Sequence, residues 1–531
     1  MTFIKDLDTP LLRLSPRDVF TVGNSYTAVH IFGGIGSGKS SGPGRMLAGA
    51  YLRAGYGGLV TVAKHEDIDL WKGYAREHGR AASLVLFDEN EGFNFLTYEM
   101  ARQGIEGIGT VTECLLAVLE AAKRASATTS QKGEEEFWEG SKRQLIRYAI
   151  APIYAAKGAV TIPDIIRFIN TAPTNPKDPT SAEWQRRSFM YSVMNAATCA
   201  PKVKLPDSMM RDTIEFWAEE YPGIPDKTRG NMVVTVSTVL DRFKHGRLQK
   251  AFCSKTSIVP EMTFHGSVIL LCMPTLTWNE DGVIAQQLFK FMWQRAVLSR
   301  NSLEEKHRAR GVFLFSDEAQ ETVSSYDAEF LSMCRGSRCC VTYLTQTLPT
   351  YYAKIGGDNP RDAAHALVGK FMTQIYHSNS CPETNEYASR VIGKVMKRHG
   401  TYSAGNSESI NTGMSSGESV NTGTSRNYGG STNASHSMGG PQRGHGSSHG
   451  SGSSDGRGSN WGANRGRGTS STESRGYSES MEYQIEPGDF ARILKSGGRE
   501  NNYLVTGVWF QSGRIFKSSG TNMMLQTFRQ K

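Results

Sequence analysis

The sequence predicts an α/β fold in which a mostly parallel sheet is interrupted by an all-helical insertion. Short apolar runs with the character of strands lie at 28–32, 59–62, 83–87, 267–273, 312–315 and 341–344. Segments of helical periodicity separate most of these runs, and strands that alternate with helices are typical of a parallel sheet. Between about residues 100 and 245 the strand signal fades and helical spacing of apolar residues takes over. The sheet is therefore expected to close after this insertion.

Length and composition are those of a globular protein with more than one structured unit. The 531 residues exceed one ordinary core, while 38% of them are hydrophobic and 21% charged. A net charge of +9 suits an anionic partner without requiring one. The eight cysteines lack the spacing of a disulfide framework or a zinc site, which indicates a reducing cytosol. No apolar run reaches the roughly 18 residues of a membrane helix, so we expect no membrane-spanning segment.

A glycine-rich turn follows the first apolar run and matches the pattern G-x-x-x-x-G-K-[ST]. In this pattern the glycines let backbone N–H groups surround a phosphate, and the following helix adds the positive end of its dipole. Lys39 is expected to neutralise the β and γ oxygens of ATP, and Ser40 to bind Mg²⁺. A flexible surface loop is the alternative, but a strand precedes the motif and a helix follows it, as nucleotide binding requires. The predicted binding residues are Gly33, Gly34, Gly36, Ser37, Gly38, Lys39, Ser40 and Ser41.

A later apolar run, at 312–315, leads to the carboxylates of Asp317 and Glu318. Asp317 is expected to hold Mg²⁺ through water, and Glu318 to polarise the attacking water. These roles favour hydrolysis over transfer of the phosphoryl group by a kinase. The alternative is a solvated acidic helix start, because Asp and Glu also favour helix N-termini. Together with the glycine-rich motif upstream, the carboxylates predict an ATPase.

Three further side chains are candidates near the next strand, which contains the run CCVTYLTQTL. Gln346, near the end of this run, is placed to sense the γ-phosphate, and an ordinary place at the end of a core strand is the alternative. Arg335 and Arg338 precede the strand, and one of them is a candidate arginine finger for a neighbouring subunit's phosphate. Surface positions or contacts with DNA phosphates are the open alternatives for both arginines.

The last quarter of the chain changes character. Residues 401–480 consist almost entirely of Gly, Ser, Asn, Thr and Arg, and we expect them to be disordered because they bury too little surface to offset chain entropy. Arginines interspersed with aromatics can hold single strands loosely, but nearby acidic residues almost cancel their charge, which favours a passive linker. Residues 481–531 alternate apolar and polar residues around glycine turns, which predicts a small β-rich element with a hairpin turn at QSG.

With these segments in order, the chain resembles the type IV coupling proteins, the conjugative DNA-transfer ATPases of the TraG/TraD type within the FtsK/HerA superfamily. The resemblance extends to a C-terminal region of the TraM-recognition type and covers roughly residues 25–400 and 481–531. It rests on the segments GGIGSGKSSGPG, VTVAKHED, FNFLTYE, VFLFSDEAQ, TYLTQTL and LVGKFMTQIYHSNSCPETNEYASRVIG.

This resemblance implies a RecA-like nucleotide domain with an inserted all-helical domain, and a ring of six identical subunits with ATP sites at their boundaries. The implied partners are single-stranded DNA, a relaxase or secreted effector protein, and components of a type IV secretion channel. Typical members begin with a transmembrane hairpin, whereas this chain starts almost directly with the nucleotide domain. We therefore expect a cytoplasmic protein that a separate membrane-anchored partner docks at the inner face of the cell membrane.

A second departure from the family concerns the segment after the second strand. The usual Asp-Pro-Lys-Gly-Glu appears here as Val62, Ala63, Lys64, His65 and Glu66. This version keeps the lysine and the glutamate and lacks the aspartate.

The signals together divide the chain into five parts. Residues 1–100 and 246–400 are expected to form the two halves of the nucleotide-binding domain, with 101–245 as the inserted helical domain. The linker occupies 401–480, and the C-terminal β-rich element occupies 481–531.

The leading functional interpretation is an ATP-hydrolysing coupling protein that moves single-stranded DNA and bound relaxase to a type IV secretion channel. A second interpretation is a receptor that recruits relaxase or effector proteins, with ATP as a conformational switch and without processive DNA pumping. A third is an HerA-like DNA-processing motor outside secretion. Directional strand displacement separates the first interpretation from the second.

Overall fold

The computed structural model describes residues 2–125, 135–355, 359–413, 421–437, 440–456 and 464–530. They belong to two compact units. One unit comprises Met1–Thr384 together with Leu494–Lys531, and the other comprises Asn385–Ile493. The glycine-rich motif and the predicted carboxylates lie in the first unit.

The two units together contain the following strands and helices, which alternate along most of the first unit. The strands are β1 Pro10–Arg13, β2 Val19–Thr21, β3 Val29–Phe32, β4 Gly57–Thr61, β5 Leu84–Phe87, β6 Val268–Leu271, β7 Val312–Ser316, β8 Cys339–Thr345, β9 Thr373–Tyr376, β10 Lys394–Gly413, β11 Asn421–Ser437, β12 Gly440–Gly456, β13 Asn464–Tyr483, β14 Leu504–Gln511 and β15 Met523–Arg529. The helices are α1 Val22–Ser25, α2 Arg45–Arg53, α3 His65–Glu77, α4 Phe95–Gln103, α5 Gly107–Ala125, α6 Glu135–Lys157, α7 Ile162–Asn170, α8 Ala182–Arg187, α9 Phe189–Cys199, α10 Asp207–Glu215, α11 Tyr221–Gly223, α12 Asp226–Asp241, α13 Gly246–Phe252, α14 Thr275–Trp278, α15 Glu280–Ser299, α16 Glu305–Arg308, α17 Ser325–Met333, α18 Leu348–Ile355, α19 Pro360–Val368, α20 Pro382–Ile392 and α21 Asp489–Arg492.

A large mixed sheet forms the centre of the first unit, in the order β15-β14-β9-β3-β8-β7-β4-β6-β5. From β9 to β5 every neighbouring pair is parallel. Parallel neighbours need long crossover connections, and the helices between these strands supply them. The predicted α/β fold with a mostly parallel sheet is confirmed.

The middle of this sheet is buried on both faces. Every residue of β3, β7 and β8 is buried, as continuous apolar runs in helix-covered parallel sheets usually are. The Trp71 ring of α3 lies 5.9 Å from the Phe313 ring and 5.1 Å from the Phe315 ring. Tyr51 of α2 stacks on Phe313 at 5.4 Å. This packing holds the helix that follows the glycine-rich motif against the strand that precedes the carboxylates.

Helices α4 to α13 lie between β5 and β6, where the sequence predicts an insertion at 101–245. Helix α5 of this block packs along α15 of the sheet layer, with Cys114 Sγ 2.8 Å from Met292 Sδ. Among the described residues, no single helix combines the length and apolarity that a membrane crossing requires. Gly140–Lys157 and Ile162–Asn170 pass that test by length and composition only as a pair bent by 114°.

The second unit differs from the disordered linker predicted at 401–480. Its described residues form an antiparallel sheet in the order β12-β11-β10-β13. β10 pairs with β13 from Lys394 opposite Tyr483 to Gly413 opposite Asn464. The prediction of disorder considered only apolar burial, whereas strand pairing uses backbone N–H and C=O groups that Gly, Ser and Asn also carry. Residues 414–420, 438–439 and 457–463 of the predicted linker lie outside the described residues.

The C-terminal segment extends the central sheet instead of forming an element of its own. β14 pairs antiparallel with β9 on one side and with β15 on the other. The predicted hairpin is present, but its connection is longer than the QSG turn alone, because residues 512–522 separate the two strands. Asp18, near the N-terminus, holds this long connection by accepting hydrogen bonds from the Lys517 N–H at 2.8 Å and the Ser518 N–H at 2.9 Å.

Candidate nucleotide site

The glycine-rich loop lies at the carboxyl-terminal edge of the central sheet. β3 leads into it and is flanked by the parallel strands β8 and β9. The Gly33 N–H donates to the Thr345 carbonyl at 3.2 Å, and the Gly34 N–H donates to the Ser378 carbonyl at 2.9 Å. The residues at the ends of both neighbouring strands therefore hold the loop in place. In open parallel sheets this edge is where ligands bind.

The backbone of the loop requires glycine at several positions. Gly36 has a φ of 70° and Gly38 a φ of 82°, a region that other residues rarely adopt. A Cβ at Gly33 would lie 2.3 Å from Ser37 Oγ. The Ser37 hydroxyl is buried and has no hydrogen-bond partner within the described part of the chain. A tight turn with an unused buried hydroxyl fits a loop that closes around an anion.

The helix after the loop begins with a π-helical turn, Ser40–Gly44, and continues as α2. Pro43 lies in this turn, where it lacks an N–H to donate, and the Gly44 N–H reaches the Lys39 carbonyl at 2.9 Å. Lys39 and Ser40 therefore lie at the helix start, where the dipole favours negative charge.

The two predicted carboxylates lie beside this helix start. β7 ends at Ser316, so Asp317 and Glu318 project from the same edge of the sheet. Ser40 Oγ donates to Asp317 Oδ2 at 2.5 Å, and Lys39 Nζ lies 3.3 Å from Glu318 Oε1. The fold thus brings together four predicted site residues that are almost 280 positions apart in the chain, a separation of 277 for one pair and 279 for the other.

Burial and the Lys39 charge act in opposite directions on the two carboxylates. Burial raises the pKa of Asp317, and Lys39 with the Ser40 hydrogen bond offsets only part of that rise. Burial also opposes ionisation of Glu318, but Lys39 and the hydrogen bonds from Gln320 and Gln346 bring its pKa below the usual value. Glu318 is therefore ionised at neutral pH, and a cation beside Asp317 would stabilise its charged form.

Glu318 has an unusual backbone conformation, with a φ of 48°. Strain of this kind amounts to about 1–3 kcal/mol in a residue other than glycine and is concentrated at functional sites. The carboxylate accepts hydrogen bonds from Gln320 Nε2 at 2.8 Å and from Gln346 Nε2 at 3.2 Å. The strained backbone and the two amides together orient one carboxylate.

Gln346 lies one residue beyond β8, next to the carboxylate of Glu318. Its main-chain carbonyl oxygen accepts a hydrogen bond from Asn379 Nδ2 at 2.9 Å. The neighbouring Thr345 hydroxyl donates to Gln320 Oε1 at 2.6 Å. These contacts hold the chain at the end of β8, and the Gln346 side-chain amide lies against the Glu318 carboxylate.

The predicted arginine fingers lie at the opposite edge of the sheet. Arg335 and Arg338 precede β8, whereas the glycine-rich loop follows the end of the parallel strand β3. Seven residues of β8 separate the two edges by about 20 Å. Arg335 is exposed, and Arg338 Nη2 pairs with Glu305 Oε1 at 2.8 Å. Neither arginine joins the site of its own chain, and a contact with a neighbouring subunit stays a prediction.

Four further side chains line the cleft beside the loop: Lys64, Glu66, Asp67 and Gln530. Lys64 and Glu66 are the residues that the sequence shares with the family pattern. Asp67 accepts hydrogen bonds from the Lys64 N–H at 2.9 Å and the Ala63 N–H at 3.2 Å, and burial raises its pKa. An acidic residue in the first turn of a helix after a strand was the available signal for Asp67. No motif signals Gln530.

The donor set of the cleft fits a magnesium-bound nucleoside triphosphate. No cluster of three or more His, Cys, Asp or Glu side chains in the described ranges is placed to hold a metal by itself. Mg²⁺ is usually bound by one or two protein oxygens together with waters and substrate phosphates, so such a cluster is not required. Ser40 and Asp317 offer these oxygens, while Lys39 and the loop amides suit the phosphates.

A comparison with protein families decides the assignment. Residues 13–426 match the family described as Type IV secretory system Conjugative DNA transfer. The chain belongs to this family. The family predicted from the sequence motifs is confirmed. No protein of curated function matches the sequence.

Solved structures of the conjugative coupling protein TrwB resemble this family member in fold. The unbound monoclinic form of TrwBdeltaN70 is 13% identical with a TM-score of 0.52, and the alignment covers 97% of this chain and 87% of that chain. The TrwB complexes with the ATP analogue ADPNP and with the GTP analogue GDPNP are each 12% identical with a TM-score of 0.54. Both alignments cover 99% of this chain and 91% of that chain. At such identities the similarity concerns the fold alone.

Proposed function

We propose that this chain is the ATP-hydrolysing motor of a conjugative DNA-transfer system and delivers single-stranded DNA with bound relaxase to a type IV secretion channel. The observation that carries the proposal is the meeting of Lys39 and Ser40 with Asp317 and Glu318 at one sheet edge. Family membership supplies the biological setting. TrwB, which has the same fold, binds both an ATP analogue and a GTP analogue, and this supports a nucleoside triphosphate as the ligand.

The phosphate-binding half of the site consists of the loop and the start of α2. Lys39 is largely buried beside Glu318, so its charge acts through little solvent on a phosphate in the cleft. Ser40 and Asp317 would hold Mg²⁺, which when bound supplies positive charge to the β and γ oxygens. The Ser40 hydroxyl already points at the carboxylate, so these two oxygens need little rearrangement to share one cation.

The hydrolytic half consists of Glu318 and the two amides that orient it. A carboxylate whose pKa lies below its usual value is ionised and can accept a proton from an attacking water. Gln346 contacts the same carboxylate, so its amide is suited to relay the presence or loss of a terminal phosphate to the end of β8. These roles make Glu318 the general base and Gln346 the sensor.

The larger assembly follows from the family and is part of the same proposal. Six subunits would form a ring, and Arg335 or Arg338 would reach the ATP site of a neighbour as an arginine finger. Their place at the sheet edge opposite the site of their own chain is compatible with action on another subunit. Channel components, an effector or relaxase, and a membrane-anchored partner that holds the cytoplasmic ring at the membrane complete the proposed set of partners.

The proposal is tested with Lys39→Ala. Loss of the phosphate-binding charge should lower the ATPase rate measured with single-stranded DNA by about 10²–10³-fold or more. Lys354→Ala is the matched control, because this half-exposed lysine pairs with Glu321 away from the cleft. Wild-type protein that neither binds nor hydrolyses ATP, or a Lys39→Ala variant with full turnover, would contradict the proposal.

A strand-displacement assay then addresses movement of DNA. We expect the wild type to displace a complementary strand in one direction during ATP hydrolysis, and Lys39→Ala to displace none. Hydrolysis without displacement would favour the ATP-switched receptor over the motor.

A further inference from the structure

The end of the C-terminal hairpin reaches the phosphate-binding loop. Gln530 follows β15, and its Nε2 donates to Ser41 Oγ at 2.7 Å. Its Oε1 accepts a hydrogen bond from the Gly498 N–H at 3.0 Å. Gln530 also lines the cleft that contains Lys39 and Ser40. One amide therefore joins the last strand of the sheet to the helix start after the loop.

The loop and the hairpin approach each other too closely for larger residues. A Cβ at Gly38 would lie 2.4 Å from Val505 Cγ2 and 3.2 Å from Gln530 Nε2. A Cβ at Gly497 would lie 2.2 Å from Gln530 Oε1, and Gly497 has a φ of 86°. The main-chain N–H of Gln530 also donates to the Tyr503 carbonyl at 2.8 Å. The position of the Gln530 amide is thus set by its backbone and by both ends of its side chain.

Gln530 and Glu318 contact different residues of the helix start. Glu318 marks the γ end, and Lys39 lies beside it. Ser40 faces Asp317, whereas Ser41, the next residue of the helix start, faces Gln530. In sites of this type the lysine contacts the β and γ phosphates, so the nucleoside leaves the loop on the side away from the γ end.

We propose that Gln530 is a specificity-determining residue that contacts the nucleoside of the bound nucleotide. This inference rests on the proposed ATP site. One N–H of the Gln530 amide is used by Ser41, and within the described part of the chain the other N–H has no hydrogen-bond partner. That second N–H suits an oxygen or nitrogen acceptor of the ribose or base. Ser41 accepts the Gln530 hydrogen bond and keeps its own proton to donate to the phosphate next to the nucleoside.

The test compares ATP with inorganic tripolyphosphate, which has the three phosphates without the nucleoside. Affinities of the full chain for each ligand with MgCl₂ are measured by titration calorimetry. Gln530→Met keeps the length of the side chain and removes its hydrogen bonds. It should weaken ATP binding by about 3- to 10-fold while changing tripolyphosphate binding by less than about 2-fold. Ser41→Ala should weaken both ligands, since both carry the neighbouring phosphate.

Gln526→Met is the matched control. Gln526 lies on β15, four residues before Gln530, its amide donates to the Leu14 carbonyl at 2.6 Å, and it does not line the cleft. The readout is the ratio of the two affinities within each variant, which a change in folded fraction does not alter. Gln530→Met that weakens both ligands equally, or weakens neither, leaves the ratio unchanged and would overturn the proposal. Equal weakening would make Gln530 a structural anchor. Wild-type protein that binds neither ligand, or Lys39→Ala that binds both normally, would overturn the ATP site itself.

Discussion

Two pairs in the first unit each join a lysine to a carboxylate, and they differ in their surroundings. At the sheet edge, Lys39 Nζ lies 3.3 Å from Glu318 Oε1, and the two side chains are 11% and 12% exposed. In the core, Lys290 Nζ lies 2.6 Å from Asp327 Oδ2, and the two side chains are 1% and 0% exposed. The first pair borders a cleft, whereas the second is enclosed in the core.

The partners of the two carboxylates explain the difference. Asp327 accepts hydrogen bonds from Lys290, from Gln294 Nε2 at 2.7 Å and from the Tyr343 hydroxyl at 2.8 Å, which joins α15, α17 and β8. Glu318 is also held by amides, but its longer contact to Lys39 leaves the lysine able to turn to a phosphate. A network enclosed in the core holds elements together, and a pair beside a cleft can exchange partners for a ligand.

The charge state does not distinguish the two pairs. Burial opposes ionisation of both Glu318 and Asp327, and in each case the neighbouring lysine and hydrogen bonds bring the pKa below its usual value. Both carboxylates are therefore ionised near neutral pH. Substitutions that separate activity from stability test whether the two pairs differ in role.

The largest effect is expected at the sheet edge, from Glu318→Gln. Removal of the proposed general base should lower ATP turnover by about 10²–10⁴-fold and leave ATP binding largely intact. Steady-state hydrolysis and binding titrations measure the two quantities. Glu321→Gln, which changes a carboxylate of the same segment that pairs with Lys354, is the control. Full turnover by Glu318→Gln would show that Glu318 is not the general base and that its pair with Lys39 has no catalytic role.

In the core pair, Lys290→Met should affect stability first. It leaves the buried Asp327 charge without its lysine, so the free energy of unfolding should fall by about 3–5 kcal/mol. Urea denaturation followed by tryptophan fluorescence measures the change. The double variant Lys290→Met with Asp327→Leu should recover much of this loss, because no unpaired charge remains. A single variant as stable as the wild type would contradict a structural role.

Mild acid should destabilise the protein through two buried imidazoles while both pairs remain ionised. Burial lowers the pKa of His30 from 6.5 to about 3, and burial with the Lys39 charge lowers that of His377 to about 4 against the opposing Thr506 carbonyl. The unfolded chain takes up these protons first, so stability is complete above pH 6.5 and is lost as the pH falls toward these lowered values. The loss is about 2 kcal/mol per imidazole by pH 5.

Denaturation at pH 7 and pH 5 tests this expectation. His30→Phe should retain about half of the acid sensitivity, because His377 still titrates in the unfolded chain. Stability that is equal at the two pH values in the wild type would show that the imidazoles are not held neutral.

The smallest effect is expected for a third pair, at the surface. Lys354 Nζ lies 2.8 Å from Glu321 Oε2, and the Lys354 side chain is half-exposed. Lys354→Ala should change the free energy of unfolding by no more than about 1 kcal/mol, and added salt should reduce even that difference. A loss as large as that of Lys290→Met would mean that burial does not separate the pairs.

Local patterns were enough to predict much of the fold and part of the site. The strand, glycine turn and helix around Lys39 are consecutive in the sequence, and so are the strand and carboxylates that end at Glu318. The parallel sheet followed from the alternation of strands and helices. Each of these features depends on residues that are close together in the sequence, and a sequence pattern can detect such local relationships.

Other features depend on contacts that no local pattern contains. Gln530 reaches Ser41 across 489 positions, and only the pairing of β14 with β9 brings the C-terminal hairpin to the loop. The described strands at 401–480 depend on main-chain pairing, to which the Gly- and Ser-rich composition gave no signal. Asp67 was missed because it lies one residue after the segment that was compared with the family pattern. Its place in the lining of the cleft depends on the folded structure.

Short ordered motifs in the amino-acid sequence were sufficient to predict the phosphate loop, the acidic strand end and the family. Only the packing of the elements shows which lysine–carboxylate pair faces a cleft and which is enclosed, and only the packing brings Gln530 to Ser41. Burial and solvent access are properties of packed elements, and the same lysine and carboxylate act differently according to the layers that surround them.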